Sequence, residues 1–166
     1  FNDDYTESTL STPECIEATE RWAEMMQYMP AGANEFTYDN VTAAAQQGTI
    51  ATAVQWSWGQ FAVDDPSNSQ TVGQWDVVVM PEGPRGTSAG HLAAWTISVS
   101  KYSENVDEAI KFVTWLQTQK NDVFQASNGA GDPVRISSYS SPELLDQTLE
   151  GTDVLRFRRL PVVLDA

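Results

Sequence analysis

The sequence is poor in the residues that build redox, metal and nucleophilic centres. It has one cysteine, Cys15, and one histidine, His91, in 166 residues. A lone cysteine excludes an internal disulfide, and one of each excludes the usual zinc constellations. Cys15 lies with Ile16 and Trp22 in a helical pattern, which predicts a buried thiol rather than a reactive one. Bases are scarce as well, 9 against 23 acids, for a formal net charge of −14. Clustered Lys and Arg hold nucleic-acid phosphates, so that partner is excluded, and an anionic membrane surface is disfavoured. No apolar run approaches the roughly 18 residues of a membrane helix, so direct membrane insertion is not expected. No basic-then-apolar leader opens the chain. The start, FNDDYTESTLSTPE, reads as an acidic loop inside a longer gene product. The glycines of GPRGTSAG lack the Lys-Ser/Thr ending and following helix of a phosphate loop.

What is there is an alternation of helices and apolar runs. TPECIEATERWAEMMQYM predicts a helix capped by Thr12, with Pro13 at its first position and Glu14 at the positive end of its dipole. Cys15, Thr19, Trp22, Met26 and Met29 fall on one stripe, expected to be buried. A second helix follows from Thr37 to a left-handed terminator at Gly48. TIATAVQW, WDVVVMP and HLAAWTISVS read as strands; in the first, Ile50, Thr52, Val54 and Trp56 share a face. SENVDEAIKFVTWLQTQ is an amphipathic helix with Val106, Ala109, Ile110, Val113 and Leu116 on its apolar side. A helix ending at Gly129, a loop to Ser141, a helix begun by Pro142 and a final helix entered from a loop and interrupted by Pro161 complete the chain. This order predicts an α/β fold.

The residues available for chemistry are aromatics, acids and a few arginines. Trp56 ends a strand and Trp58 stands just past it, where α/β folds take their ligands. An indole offers a flat apolar face and one N–H donor, which suits the C–H face of a sugar ring. Trp56 also fits a core position, whereas Trp58, with Gly59 to permit a turn, fits a platform. Trp95 is flanked by small residues that let a ring approach; Trp22, Trp75 and Trp115 read as packing. Arg135, in GAGDPVR beside Asp132, can grip two oxygens at once or pair with a neighbouring acid. His91, at a strand edge, fits a local hydrogen bond or a ligand contact. The candidate ligand-binding set is therefore Trp56, Trp58, Trp95, Arg135, His91 and Asp132, with no catalytic residue, metal ligand or cofactor. Acids are numerous enough for a glycosidase pair, but most sit in helix first turns or loops, where capping and solvation explain them.

PAGANEFTYDNVTAAAQQGTIATAVQWSW, VGQWDVVVMPEGPRG, AAWTISVSKYSENVDEAIKFVTWL and GDPVRISSYSSPEL, in this order, carry a resemblance. The chain resembles the C-terminal part of a bacterial extracellular solute-binding protein, the sugar-binding family 1 of ABC importers. The resemblance implies a periplasmic-binding-protein-like, type II fold. Two lobes close on a sugar or oligosaccharide, and the closed form docks on membrane permease subunits in the periplasm or outside the cell. By it, residues 1–90 belong to the second lobe, 91–127 form a crossing strand and helix like those of the first lobe, and 128–166 a C-terminal loop and helices. Trp56 or Trp58 would stack on sugar, Trp95 would line the cleft and Arg135 would bond hydroxyls. The family's Gly-Gly before tryptophan is Ala93-Ala94 here, which narrows the approach to Trp95. A full member is more than twice as long, so a fragment with part of a site is expected. Two other readings stay open: a carbohydrate-active hydrolase, and a truncated protein-interaction module.

Overall fold

The computed structural model describes residues 1–2, 4–83, 86, 88, 90–91 and 93–165, the last without its side chain. Pro84, Arg85, Thr87 and Ala89 of the expected loop, and Leu92 of the expected third strand, lie outside the described residues. The α helices are α1 (Pro13–Met25), α2 (Tyr38–Gln46), α3 (Gly59–Val63), α4 (Val106–Leu116), α5 (Gln119–Ser127), α6 (Ile136–Tyr139), α7 (Pro142–Leu145) and α8 (Arg159–Asp165). The chain divides into two compact units, Phe1–Asn40 and Val41–Ala166.

The first unit is built on α1. Its start follows the sequence closely: Thr12 accepts the Cys15 amide proton at 3.4 Å, and Pro13 occupies the first turn. A 3₁₀ turn over Met26–Tyr28 extends it. The expected stripe lies on one face, but the described residues of the unit cover it only in part: Trp22 is 63% exposed, and Cys15, Met26 and Met29 are half-buried. The spacing sets the face; burial needs an opposing surface that these residues supply only in part.

The second unit holds the core. Ala126 of α5, Leu144 of α7 and Leu160 of α8 meet Phe157, with Phe61, Val123, Tyr139 and Leu145 around them. Burial of side chains such as Leu144, Phe157 and Leu160 stabilises by about 1.5–3 kcal/mol each. Ser141 opens α7 at the position the Ser-Pro-Glu pattern predicts, and Pro161 sits in the first turn of α8, where it interrupts nothing. α2 ends in Gly48 at φ +68°, the left-handed terminator. The Thr71 hydroxyl donates to the Ala45 carbonyl at 3.0 Å and the Gln46 side-chain amide to the Ala62 carbonyl at 2.9 Å, which fastens that end to α3 and to the segment after it.

The expected α/β class is overturned. Among the described residues there is no strand and no sheet; the one β pairing is an isolated antiparallel bridge between Thr148 and Leu155. TIATAVQW, WDVVVMP and the described part of HLAAWTISVS run as irregular chain, with Val54 74%, Val78 80%, Trp95 92% and Ile97 46% exposed. Alternation and β-branching set which residues suit a pleated surface. A strand also needs a ladder partner, and for parallel strands that partner comes through a distant crossover. These segments have the pattern without the partner. The apolar side of α4 is open in part, with Val106 38% and Ile110 50% exposed and Ala109, Val113 and Leu116 half-buried. Two short helices, α3 and α6, fall where a turn and a loop were expected.

Candidate functional site

Gln-Trp-Ser-Trp-Gly, residues 55–59, forms the turn into α3. The Gly59 amide donates to the Trp56 carbonyl at 2.7 Å and the Phe61 amide to that of Trp58 at 2.9 Å, so the helix begins on the tryptophans. Gly59 is required by crowding, not by a left-handed backbone. A Cβ there would meet Gln55 Cγ at 2.6 Å.

The two indoles have different surroundings. Trp58 is half-buried, its Nε1 donates to the Gly129 carbonyl at 2.7 Å, and its ring stacks on Phe61 at 6.4 Å and 18°. Trp56 is 59% exposed. It lines a groove of about 500 Å³ in the second unit, with Ile50, Val54, Trp75 and Val77 as apolar wall and Thr42, Gln55 and Gln60 as polar points. Trp75, expected as packing, gives its Nε1 to Thr71 Oγ1 at 3.0 Å.

Ser57 joins the groove to a polar junction. It lines the groove, and its hydroxyl donates to Asp132 Oδ2. Asp132 Oδ1 accepts from Arg159 Nε at 2.6 Å, and the carboxylate keeps 15% of its surface. Arg159 itself is wholly buried, and its Nη1 and Nη2 have no hydrogen-bond partner among the described residues. An unpaired buried donor costs about 1–3 kcal/mol. Next to it, Arg158 pairs with Asp64 at 2.8 Å, both side chains nearly buried, and also donates to the Trp75 carbonyl. Gln60 donates to the Arg156 carbonyl and accepts from the Arg159 amide, which ties α3 to the start of α8.

Of the expected site residues, Trp56, Trp58 and Asp132 are thus gathered around Ser57. Arg135 stands apart: its amide donates to Asp122 Oδ2 at 3.2 Å and its exposed side chain reaches the Gln117 carbonyl. Trp95 and His91 are exposed on irregular chain and are not groove residues. Sequence reasoning missed Ser57, Asp64, Arg158 and Arg159. The available signal was LRFRR, which places three of nine bases within four residues of an acidic chain.

Burial raises the Tyr139 phenol above its ordinary range, and the Asp132 charge pushes it the same way. Asp65 is lowered by the Ser67 amide and then by the Asn68 side chain. Among the described residues no group of three His, Cys, Asp or Glu could hold a metal ion, and no helix is long and apolar enough to cross a membrane.

No solved structure matches the chain. The family model of the bacterial extracellular solute-binding proteins matches residues 1–123, about three quarters of the sequence. The chain belongs to the bacterial extracellular solute-binding protein family.

Proposed function

We infer that the chain takes part in binding a sugar or oligosaccharide for a bacterial ABC importer, in the periplasm or outside the cell, and hands it to membrane permease subunits. The observation that carries the reading is an exposed indole, Trp56, on the wall of a groove of about 500 Å³. That volume is typical of small-ligand sites, and an apolar ring with a few polar points around it suits the two chemistries of a sugar. Ser57 lines the same groove and donates its hydroxyl to Asp132, whose side chain keeps 15% of its surface. Trp58, held by Gly129 and Phe61, positions the turn; Trp56 takes the sugar face.

A binding role without chemistry fits this site better than hydrolysis. A glycosidase needs two facing carboxyls in one pocket. The secluded acids of this unit are engaged otherwise, Asp64 by Arg158, Asp132 by Arg159 and Asp122 by backbone amides. The partly open apolar faces of α1 and α4 support reading the chain as one part of a larger binding protein.

Calorimetry against a panel of mono- and oligosaccharides tests the reading. Trp56→Ala is expected to weaken binding about tenfold or more, in keeping with about 1–3 kcal/mol for a stacking ring. Trp95→Ala is expected to leave this groove's contribution unchanged. Equal affinity of Trp56→Ala and wild type would sink the stacking role.

A further inference from the structure

Asn128-Gly129 is the one asparagine–glycine pair among the chain's seven asparagines. Asn128 follows α5 as an exposed cap at φ −100° and ψ 12°. The Gly129 amide donates to the Ala126 carbonyl at 3.1 Å and the Ala130 amide to that of Gln125 at 3.0 Å, the paired bonds that close a helix on a left-handed glycine. The Asn128 side chain turns back along α5, and its Nδ2 donates to the Phe124 carbonyl at 2.7 Å. The pair also touches the turn that carries the tryptophans. The Gly129 carbonyl accepts the Trp58 indole proton at 2.7 Å, and Gly129 abuts the Phe61 ring on which Trp58 stacks. Chemistry at this peptide bond therefore acts on Trp58 directly.

We propose that Asn128-Gly129 is a self-modification site, where conversion of the asparagine to aspartate and isoaspartate releases Trp58 from the Gly129 carbonyl. The Gly129 amide nitrogen gives up its proton to solvent base and attacks Asn128 Cγ. The new C–N bond closes a cyclic imide as the Cγ–Nδ2 bond breaks, and Nδ2 takes a proton from water and leaves as ammonia. Water then opens the ring at one carbonyl to give aspartate, or at the other to give isoaspartate, whose backbone runs through the β carbon. Glycine suits the attack because no side chain shields its nitrogen. The reaction waits on opening of the last turn of α5, since Ala126 holds the nitrogen and Phe124 holds the carboxamide. Helix ends open at little cost, so this gate is a low one. Isoaspartate inserts one carbon between Asn128 Cα and the Gly129 nitrogen, which shifts the carbonyl that Trp58 uses. Either product puts a negative charge at the negative end of the α5 dipole and removes the donor that Phe124 accepts. The inference rests on this local geometry and holds whether or not the groove takes a sugar.

The full chain is held at mildly alkaline pH, and peptide mass mapping with isoaspartyl-methyltransferase labelling follows each asparagine. Asn128 is expected to convert before the other six, with isoaspartate as the larger product. Its rate is expected to be about tenfold below that of the free peptide QASNGAG, the factor for a turn closed by about 1.4 kcal/mol. Exchange of the Trp58 Nε1 proton with solvent is read by nuclear magnetic resonance, with Trp58→Phe to assign the signal. Its protection is expected to fall about tenfold in the purified isoaspartate form, as for an indole hydrogen bond that opens at the same low cost. Asn128→Gln, whose longer side chain closes the imide far more slowly, is expected to keep that protection over the same period. Conversion at another asparagine first, or none at Asn128 while the peptide converts, overturns the proposal. So does unchanged Trp58 protection in the isoaspartate form. So does an equal loss of protection in aged Asn128→Gln, which places the change elsewhere.

Discussion

Gly129 carries two constraints at one residue. Its φ is +79°, and a Cβ would stand 2.3 Å from the Phe61 ring, the ring on which Trp58 stacks. Gly129→Ala is therefore expected to destabilise the chain by about 2–4 kcal/mol, from the left-handed backbone and the overpacking together. The urea midpoint measures the loss, and blue-shifted Trp58 fluorescence reverting toward the solvent-exposed value reports the displaced ring. Tyr139 supplies a pH-dependent case. Its folded phenol holds its proton more tightly than the unfolded one, chiefly through burial. Its contribution is full below the unfolded value near 10 and is lost as pH rises through the folded one. Stability is expected to fall above that point in wild type and to fall less in Tyr139→Phe, as denaturant titrations at neutral and alkaline pH would reveal. Neither residue was legible as special in the sequence. Gly129 reads as an ordinary helix terminator, and its clash with Phe61 depends on a contact between segments 68 residues apart.

At the scale of elements, helices were legible and their surroundings were not. Caps and prolines are local, so Thr12-Pro13 and Ser141-Pro142 mark the starts of α1 and α7 from the sequence alone. Strands are defined by pairing, and the runs around Val54, Val78 and Trp95 have no ladder partner among the described residues. The site was legible in part for the same reason. Trp56, Trp58 and Asp132 stand out as residue types, but the arginines that organise them arrive from the chain's last eleven residues. The Arg158–Asp64 pair adds to the Gln60 hydrogen bonds that join α3 to α8. Asp64→Ala leaves a nearly buried guanidinium unpaired and is expected to cost about 3–5 kcal/mol. If the loss, read from the denaturation midpoint, were below about 1 kcal/mol, the pair would be behaving like an exposed surface bridge.

Across the whole molecule, 23 acids face 9 bases. Self-repulsion of like charges opposes the compact state and is screened by salt. The unfolding midpoint is accordingly expected to rise between low and physiological ionic strength, and a flat salt response would show that local pairs offset the excess. One stretch has little of that charge to protect it. Val77-Val78-Val79-Met80 carries none, Val78 is 80% exposed, and only Asp76 and Pro81 flank the run. Such a segment has the composition of a dry, interdigitating fibril spine, with neighbouring copies of the chain as its stacking partners. The unpaired run that fails to make a sheet within one molecule is thereby the place where many molecules can make one. Asp76 and Pro81 stand where a gatekeeping charge and proline would, and Asp76→Val is expected to lower the concentration at which the protein stays dispersed, as light scattering would show.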